Sequence, residues 1–239
     1  MTMSRKKLIL FDVDGTLILT GGVAMGLMVE AISRVLGHPI HWTVRDFVGN
    51  TDRNIIATLL IRNGATETRL ERMVETALQD YLNHLEQSLR DGKGIQILPG
   101  VRELLERLDQ EASFHLGLVT GNVFRGAQIK LSRDHLFRYF PVGAFGDDAI
   151  KREELPPLAI QRAEKHYNCF YRREDIWIVG DSVNDIRCAQ AHQLRSLAVA
   201  TGKIPAEELQ QAHPTALVPN LRNTRQIIQI LSQNSNQMA

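Results

Sequence analysis

Asp12 and Asp14 stand two residues apart in the run Asp12-Val13-Asp14-Gly15-Thr16, directly behind the apolar stretch Leu8-Ile9-Leu10-Phe11. Extended residues at i and i+2 share a face, so both carboxylates can reach one ligand as the strand ends. Two acids that close repel unless a cation or a shared proton relieves them. A hard divalent ion with oxygen ligands is the simplest relief, and Mg²⁺ typically takes one or two carboxylates together with waters and substrate phosphate. Gly15 can supply the backbone dihedrals that turn the chain away. An isolated Asp-Gly would be read as a turn and nothing more.

The same design recurs downstream. Ile176-Trp177-Ile178-Val179 runs into Gly180-Asp181-Ser182-Val183-Asn184-Asp185. Asp181 is placed to complete a metal site. Asp185, a helical turn later, can bind the ion through water or orient its ligands. A capping role for Asp181 or Ser182 is compatible with metal binding. A third apolar run ends at Val119-Thr120-Gly121-Asn122, where a hydroxyl and backbone amides leading into a helix can hold phosphate oxygens. Each feature alone is weak, but three acid- or hydroxyl-tipped strand ends point to phosphoryl chemistry.

The elements that must position these residues follow from texture. Continuous apolar runs at Leu8 to Phe11, His115 to Val119, Val142 to Phe145, Ile176 to Val179 and Leu197 to Ala200 suit parallel strands buried on both faces. Between them lie helically spaced apolar positions: Val101, Leu104, Leu105 and Leu108; Leu158, Ile160 and Ala163; Val183, Ile186 and Ala189. This alternation predicts an α/β fold, a doubly wound, three-layer, Rossmann-like parallel sheet with its ligand site at the strand carboxyl ends. One interval, 20–94, is far longer than a crossover helix needs. Its helical patterns at Ala24 to Leu36, Asn54 to Ile61 and Glu67 to Leu89 predict an inserted all-α cap, with the core formed by 1–19 and 95–239. Gly21-Gly22 and Asp91-Gly92-Lys93-Gly94 are natural joints, and the polar tail after Ser232 is expected to fray.

Composition narrows the function classes. With 28 basic against 27 acidic residues and no basic-aromatic stripe, a nucleic-acid partner is not expected. No apolar stretch approaches a membrane span. The two cysteines, Cys169 and Cys188, lack metal-binding or disulfide-framework spacing and fit a reducing cytoplasm. The eight histidines include no HxH or HExxH pair, which argues against zinc. Trp42 and Trp177 are read as packing residues.

The ordered runs Asp12-Val13-Asp14-Gly15-Thr16, Thr120-Gly121-Asn122, the basic Lys151-Arg152 and Gly180-Asp181-Ser182-Val183-Asn184-Asp185 resemble the motifs of the haloacid dehalogenase-like hydrolase superfamily. The resemblance spans nearly the whole chain, because the helical insert resembles that superfamily's helical cap. Leu98-Pro99-Gly100-Val101 resembles the cap-to-core return of its phosphoglycolate-phosphatase-like and β-phosphoglucomutase-like branch.

The resemblance implies a phosphatase with a Mg²⁺ cofactor and a small-molecule phosphoester substrate. Asp12 would be the nucleophile, forming an aspartyl-phosphate, and Asp14 the general acid and base. Asp12, Asp14, Asp181 and Asp185 would surround the metal; Thr120, Gly121 and Asn122 would hold phosphoryl oxygens. The superfamily's usual Lys-Pro pair is replaced here by Lys151-Arg152-Glu153-Glu154-Leu155-Pro156; counting back from Leu158 and Ala159 favours Arg152 over Lys151 as the phosphate-facing cation. On the substrate side stand Thr16, Thr20 at the entrance, and Arg53, which could meet an anionic group. A phosphosugar mutase on the same scaffold is the main alternative. A phospho-accepting signalling domain is disfavoured by the insert, and a dehalogenase by Asp14.

Overall fold

Leu8, Ile9, Leu10 and Phe11 are all fully buried, and they form the centre of the first strand, β1 (Lys7–Phe11), in the computed structural model, which describes residues 5–90, 94–132 and 134–233. The elements that follow are β2 (Ile18–Leu19), α1 (Val23–Leu36), α2 (Asp52–Arg62), α3 (Glu67–Arg90), β3 (Gln96–Ile97), α4 (Val101–Gln110), β4 (Phe114–Val119) and α5 (Phe124–Ser132). Then come β5 (Gly143–Ala144), α6 (Leu155–Tyr167), β6 (Ile176–Gly180), α7 (Val183–Ala191), β7 (Arg195–Val199), α8 (Ala206–Gln211), β8 (Ala216–Val218) and α9 (Thr224–Ser232).

Six parallel strands make one sheet in the order β5-β4-β1-β6-β7-β8. Side chains alternate across a strand, and β1 divides accordingly. Ile9 and Phe11 join Leu104, Leu108, Trp177 and Ile227 in one core cluster, while Leu8 and Leu10 join Leu155, Ala159, Ala163 and Ala189 on the opposite face. Helices thus cover both faces, as the continuous apolar runs require. β1, β4 and β6 lie side by side, so the segments bearing Asp12, Thr120 and Asp181 leave the same sheet edge together.

α1, α2 and α3 pack on one another around a cluster of their own that includes Met28, Ile32, Ile56, Leu60, Tyr81 and Leu85. Among the described residues, one buried core-side residue, Val123, reaches into that cluster. The chain leaves and re-enters the sheet layer through β2 and β3, which pair antiparallel with Ile18 opposite Ile97 and Leu19 opposite Gln96. This two-residue ribbon and the three-residue β8 carry too little pattern to be legible in the sequence. Of the second expected joint only Gly94 falls among the described residues; 91–93 and the tail from 234 lie outside them. Among the described residues no helix is long and apolar enough to cross a membrane.

Candidate active site

Behind β1 the backbone reverses through Gly15, whose φ of +83° is strained for any residue with a side chain. A Cβ there would lie 2.3 Å from Asp181 Oδ2, and one on Gly202 would lie 1.6 Å from the same atom. Two glycines therefore let the loops behind β1 and β7 close on the Asp181 carboxylate. Thr201 Oγ1 donates to the Gly15 carbonyl at 2.6 Å, tying those loops together, and Thr16 Oγ1 donates to Asp181 Oδ1 at 3.2 Å. Thr16 thus supports Asp181 and is itself fully buried.

Asp12, Asp181 and Asp185 are all buried, and each offers an oxygen such that the three lie within 4.8 Å of one another. Asp185 is held hard from one side: its Oδ2 accepts from the Ser182 amide at 3.0 Å and hydroxyl at 2.6 Å, a capping box that also starts α7. From the other side Arg152 Nη2 donates to Asp185 Oδ1 at 2.5 Å and lies 2.9 Å from Asp12 Oδ1. Arg152 is buried while Lys151 is exposed, so the cation at the carboxylates is Arg152.

Burial and neighbouring charge set the electrostatics. Loss of hydration pushes Asp12 up to about 6, with Arg152 pulling it down and Asp185 and Asp14 pushing it up. Burial, Asp12 and Asp185 drive Asp181 well above the usual carboxylate range. Burial disfavours the Arg152 charge, but Asp12 and Asp185 outweigh it. Three buried acids with one guanidinium are under-neutralised, and an all-oxygen set of this kind suits a hard divalent cation.

Behind β4, the Asn122 amide nitrogen Nδ2 donates to Asp14 Oδ2 at 2.8 Å and to Thr120 Oγ1 at 2.9 Å. The Asn122 side chain therefore serves Asp14, a use outside the sequence expectation, which concerned only the backbone amide of Asn122. Gly121 faces the helical layer at close quarters: a Cβ on it would lie 2.0 Å from the Asn50 carbonyl oxygen, and its own carbonyl accepts from the Asp52 amide at 2.8 Å.

A cavity of about 540 Å³ opens over these groups, lined by Asp12, Asp14, Asn122, Arg152 and Asp181 on the sheet side and by Met25, Met28, Phe47, Ile55 and Tyr81 on the helical side. Thr20 is among the residues that line it. Arg53 does not. Its guanidinium pairs with Glu75 at 3.0 Å and Glu71 at 2.5 Å on the exposed side of α2 and α3, which corrects the expectation that it meets the substrate. Successive helix residues point about 100° apart, and it is Asp52 that turns inward. Thr51 is the N-cap of α2, accepting from the Asn54 amide, and its hydroxyl donates to the Ile150 carbonyl at 2.9 Å.

Several residues that line the cavity escaped sequence reasoning, among them Asp52, Tyr81 and Lys130. Lys130 sits inside α5, where a lysine reads as a solvated helix residue, yet it is only 3% exposed and its ammonium donates to Asp14 Oδ2 at 2.7 Å. The only signal was its place among apolar neighbours, Ala127, Ile129 and Leu131.

Residues 9–199 match the haloacid dehalogenase-like hydrolase family. The chain belongs to that family. Phosphoglycolate phosphatase of Vibrio parahaemolyticus is 27% identical over 234 residues, covering 96% of this chain and 99% of its own. Phosphoglycolate phosphatase 1 of Pseudomonas aeruginosa is 26% identical, covering 91% and 78%. Among solved structures, CbbY from Rhodobacter sphaeroides in complex with phosphate superposes with a TM-score of 0.72 at 18% identity, over 91% of this chain and 96% of that one. A predicted phosphoglycolate phosphatase from Haemophilus somnus gives 0.70 at 20% identity, over 95% and 99%. The curated relatives are named phosphoglycolate phosphatases, so the branch of the family that the chain resembles is the phosphoglycolate-phosphatase-like one.

Proposed function

We propose that this enzyme hydrolyses a small-molecule phosphomonoester with Mg²⁺ as cofactor, through a phosphoryl group carried transiently on Asp12. The observation that carries the reading is the set of three buried carboxylates, Asp12, Asp181 and Asp185, within 4.8 Å of one another and capped by Arg152 at the floor of the cavity.

Asp12 and Asp181 would hold the ion directly, with Asp185 orienting the set and Asp14 contributing its backbone. When bound, the metal neutralises the acids and the incoming phosphoryl oxygens. Arg152 holds the Asp12 carboxylate in place and adds positive charge beside the phosphorus. Asp12 attacks in line and displaces the alcohol. Asp14, in the cavity wall, protonates the leaving oxygen and then takes a proton from the water that releases phosphate. Thr120 and the amides of Gly121 and Asn122 receive phosphoryl oxygens, and positioning supplies most of the acceleration. Residues 20–94 act as a cap that shuts water out, and its apolar wall contacts the leaving group. Two unpaired cysteines support a cytoplasmic location.

Acid-quenched protein caught during turnover should carry phosphate on the peptide containing Asp12. Phosphate release with no phosphorylated peptide under single-turnover conditions would refute the covalent route.

A further inference from the structure

Lys130 is a buried cation that the reaction outlined above does not use. Its ammonium donates to Asp14 Oδ2 at 2.7 Å and to Asn122 Oδ1 at 2.5 Å, and Asn122 Nδ2 donates to that same Asp14 oxygen at 2.8 Å. Two donors therefore converge on Oδ2, and among the described residues none donates to Oδ1. The Asp14 side chain is 40% exposed in the cavity wall while that of Lys130 is 4% exposed. A carboxylate at such a wall, held by nothing, would sample several rotamers. With one oxygen held from two sides, its orientation is fixed and the other oxygen is left to exchange a proton.

The grip on Lys130 comes from both layers of the molecule. Asn122 belongs to the loop behind β4, whereas Asp52 at the start of α2 and Tyr81 in α3 line the same cavity as Lys130 from the helical side, and both favour its charged ammonium. Asp52 is itself buried and accepts from the Val123 amide at 3.0 Å. Asp14 is thus oriented by a lysine whose own seat is complete only when the helical layer rests on the sheet.

We propose that Lys130 is a positioning residue that holds Asp14 Oδ2 so that Oδ1 meets the leaving-group oxygen, and that the docked helical layer completes this hold. The inference rests on the reading of Asp14 as the acid. As the Asp12–phosphorus bond forms and the phosphorus–alkoxide bond breaks, the proton passes from Asp14 Oδ1 to the alkoxide. Asp14 is left as a carboxylate beside the Lys130 ammonium, which gives up no proton. The interaction strengthens as that charge develops, so it favours the transition state over the bound ester. Water attack on the phosphoenzyme returns a proton to Asp14.

The test is leaving-group dependence in Lys130→Met, read as kcat/KM, which covers steps through alcohol release and excludes phosphoenzyme hydrolysis. An alkyl phosphate needs its leaving oxygen protonated; nitrophenyl phosphate, with a stable phenolate, scarcely does. Misplacing Asp14 should lower kcat/KM for the alkyl ester on the order of 100-fold. For the aryl ester the loss should stay under about tenfold, since little of the general-acid contribution is used there. The ratio of the two is unaffected by the folded fraction of a sample, and Lys130→Gln reads the same ratio if Lys130→Met folds poorly. Equal losses on both esters, or none on either, would overturn the inference with an active wild type. A wild type inactive on both esters would instead refute the phosphatase reading, and the inference with it.

Discussion

Arg152 Nη2 stands 2.9 Å from Asp12 Oδ1 and 2.5 Å from Asp185 Oδ1, bridging the strand end behind β1 and the first turn of α7 with one buried guanidinium nitrogen. An adjacent lysine, Lys151, points to solvent. Arg152→Met should lower kcat/KM by roughly 100-fold or more, the scale of removing one preorganised charge from a water-excluded site. Lys151→Ala should change it less than about twofold, because an exposed charge is screened. A compact ammonium cannot reproduce a forked guanidinium, so Arg152→Lys should recover only part of the loss. Steady-state phosphate release on the three variants distinguishes these outcomes; a larger defect in Lys151→Ala than in Arg152→Met would reverse the assignment.

Gly121 leaves no room for a side chain beneath Asn50, since a Cβ would sit 2.0 Å from its carbonyl oxygen. Gly121→Ala must lift the loop 49–52 off the sheet and weaken the Asp52 N–H bond to the Gly121 carbonyl. The expected result is a fall in kcat/KM on the order of 100-fold from displaced groups, with a melting temperature only a few degrees lower, as for a loss of about 1 kcal/mol. Activity equal to wild type would show that turnover does not need this contact.

Asp52 connects pH to stability. Burial, its largest influence, pushes it from an ordinary 3.8 up to about 6, against the pull of Lys130 and the Val123 amide. The folded state then binds more protons than the unfolded chain between those two values, so this residue makes stability fall as pH rises from about 4 to about 6 and adds no further change above that. Asp52→Asn removes the titration while keeping an oxygen for the Val123 amide. Relative to wild type, the variant should gain stability across that window by at most about 3 kcal/mol, reached near pH 7. Urea unfolding at pH 4 and pH 7 measures it; a wild-type advantage that grows with pH would contradict the sign.

Much of this architecture was readable in the residues because its sheet is parallel and covered on both faces. That condition demands uninterrupted apolar strands, and the acids at their carboxyl ends stand out against them. Asp12, Asp181 and Asp185 converge for that reason. What escaped the sequence are features created by packing. Lys130 has no local pattern to mark it, since burial of a lysine is decided by Asp14, Asn122, Asp52 and Tyr81 arriving from other parts of the chain. Arg53 and Asp52 are neighbours on one helix, and periodicity alone did not settle which of them faces the cavity. The segments β2, β3 and β8 are two or three residues long, too short for any period to show.

The central claim is that Asp12, assisted by a divalent cation, attacks phosphorus. Phosphate release from nitrophenyl phosphate, measured for wild type and Asp12→Asn with Mg²⁺ and after chelation, tests it most directly. The account predicts turnover only in wild type with Mg²⁺, and loss to background in the variant, which keeps the shape of the side chain but lacks the nucleophilic oxygen pair. Release by Asp12→Asn at a rate near wild type, or full activity in the presence of chelator, would contradict it.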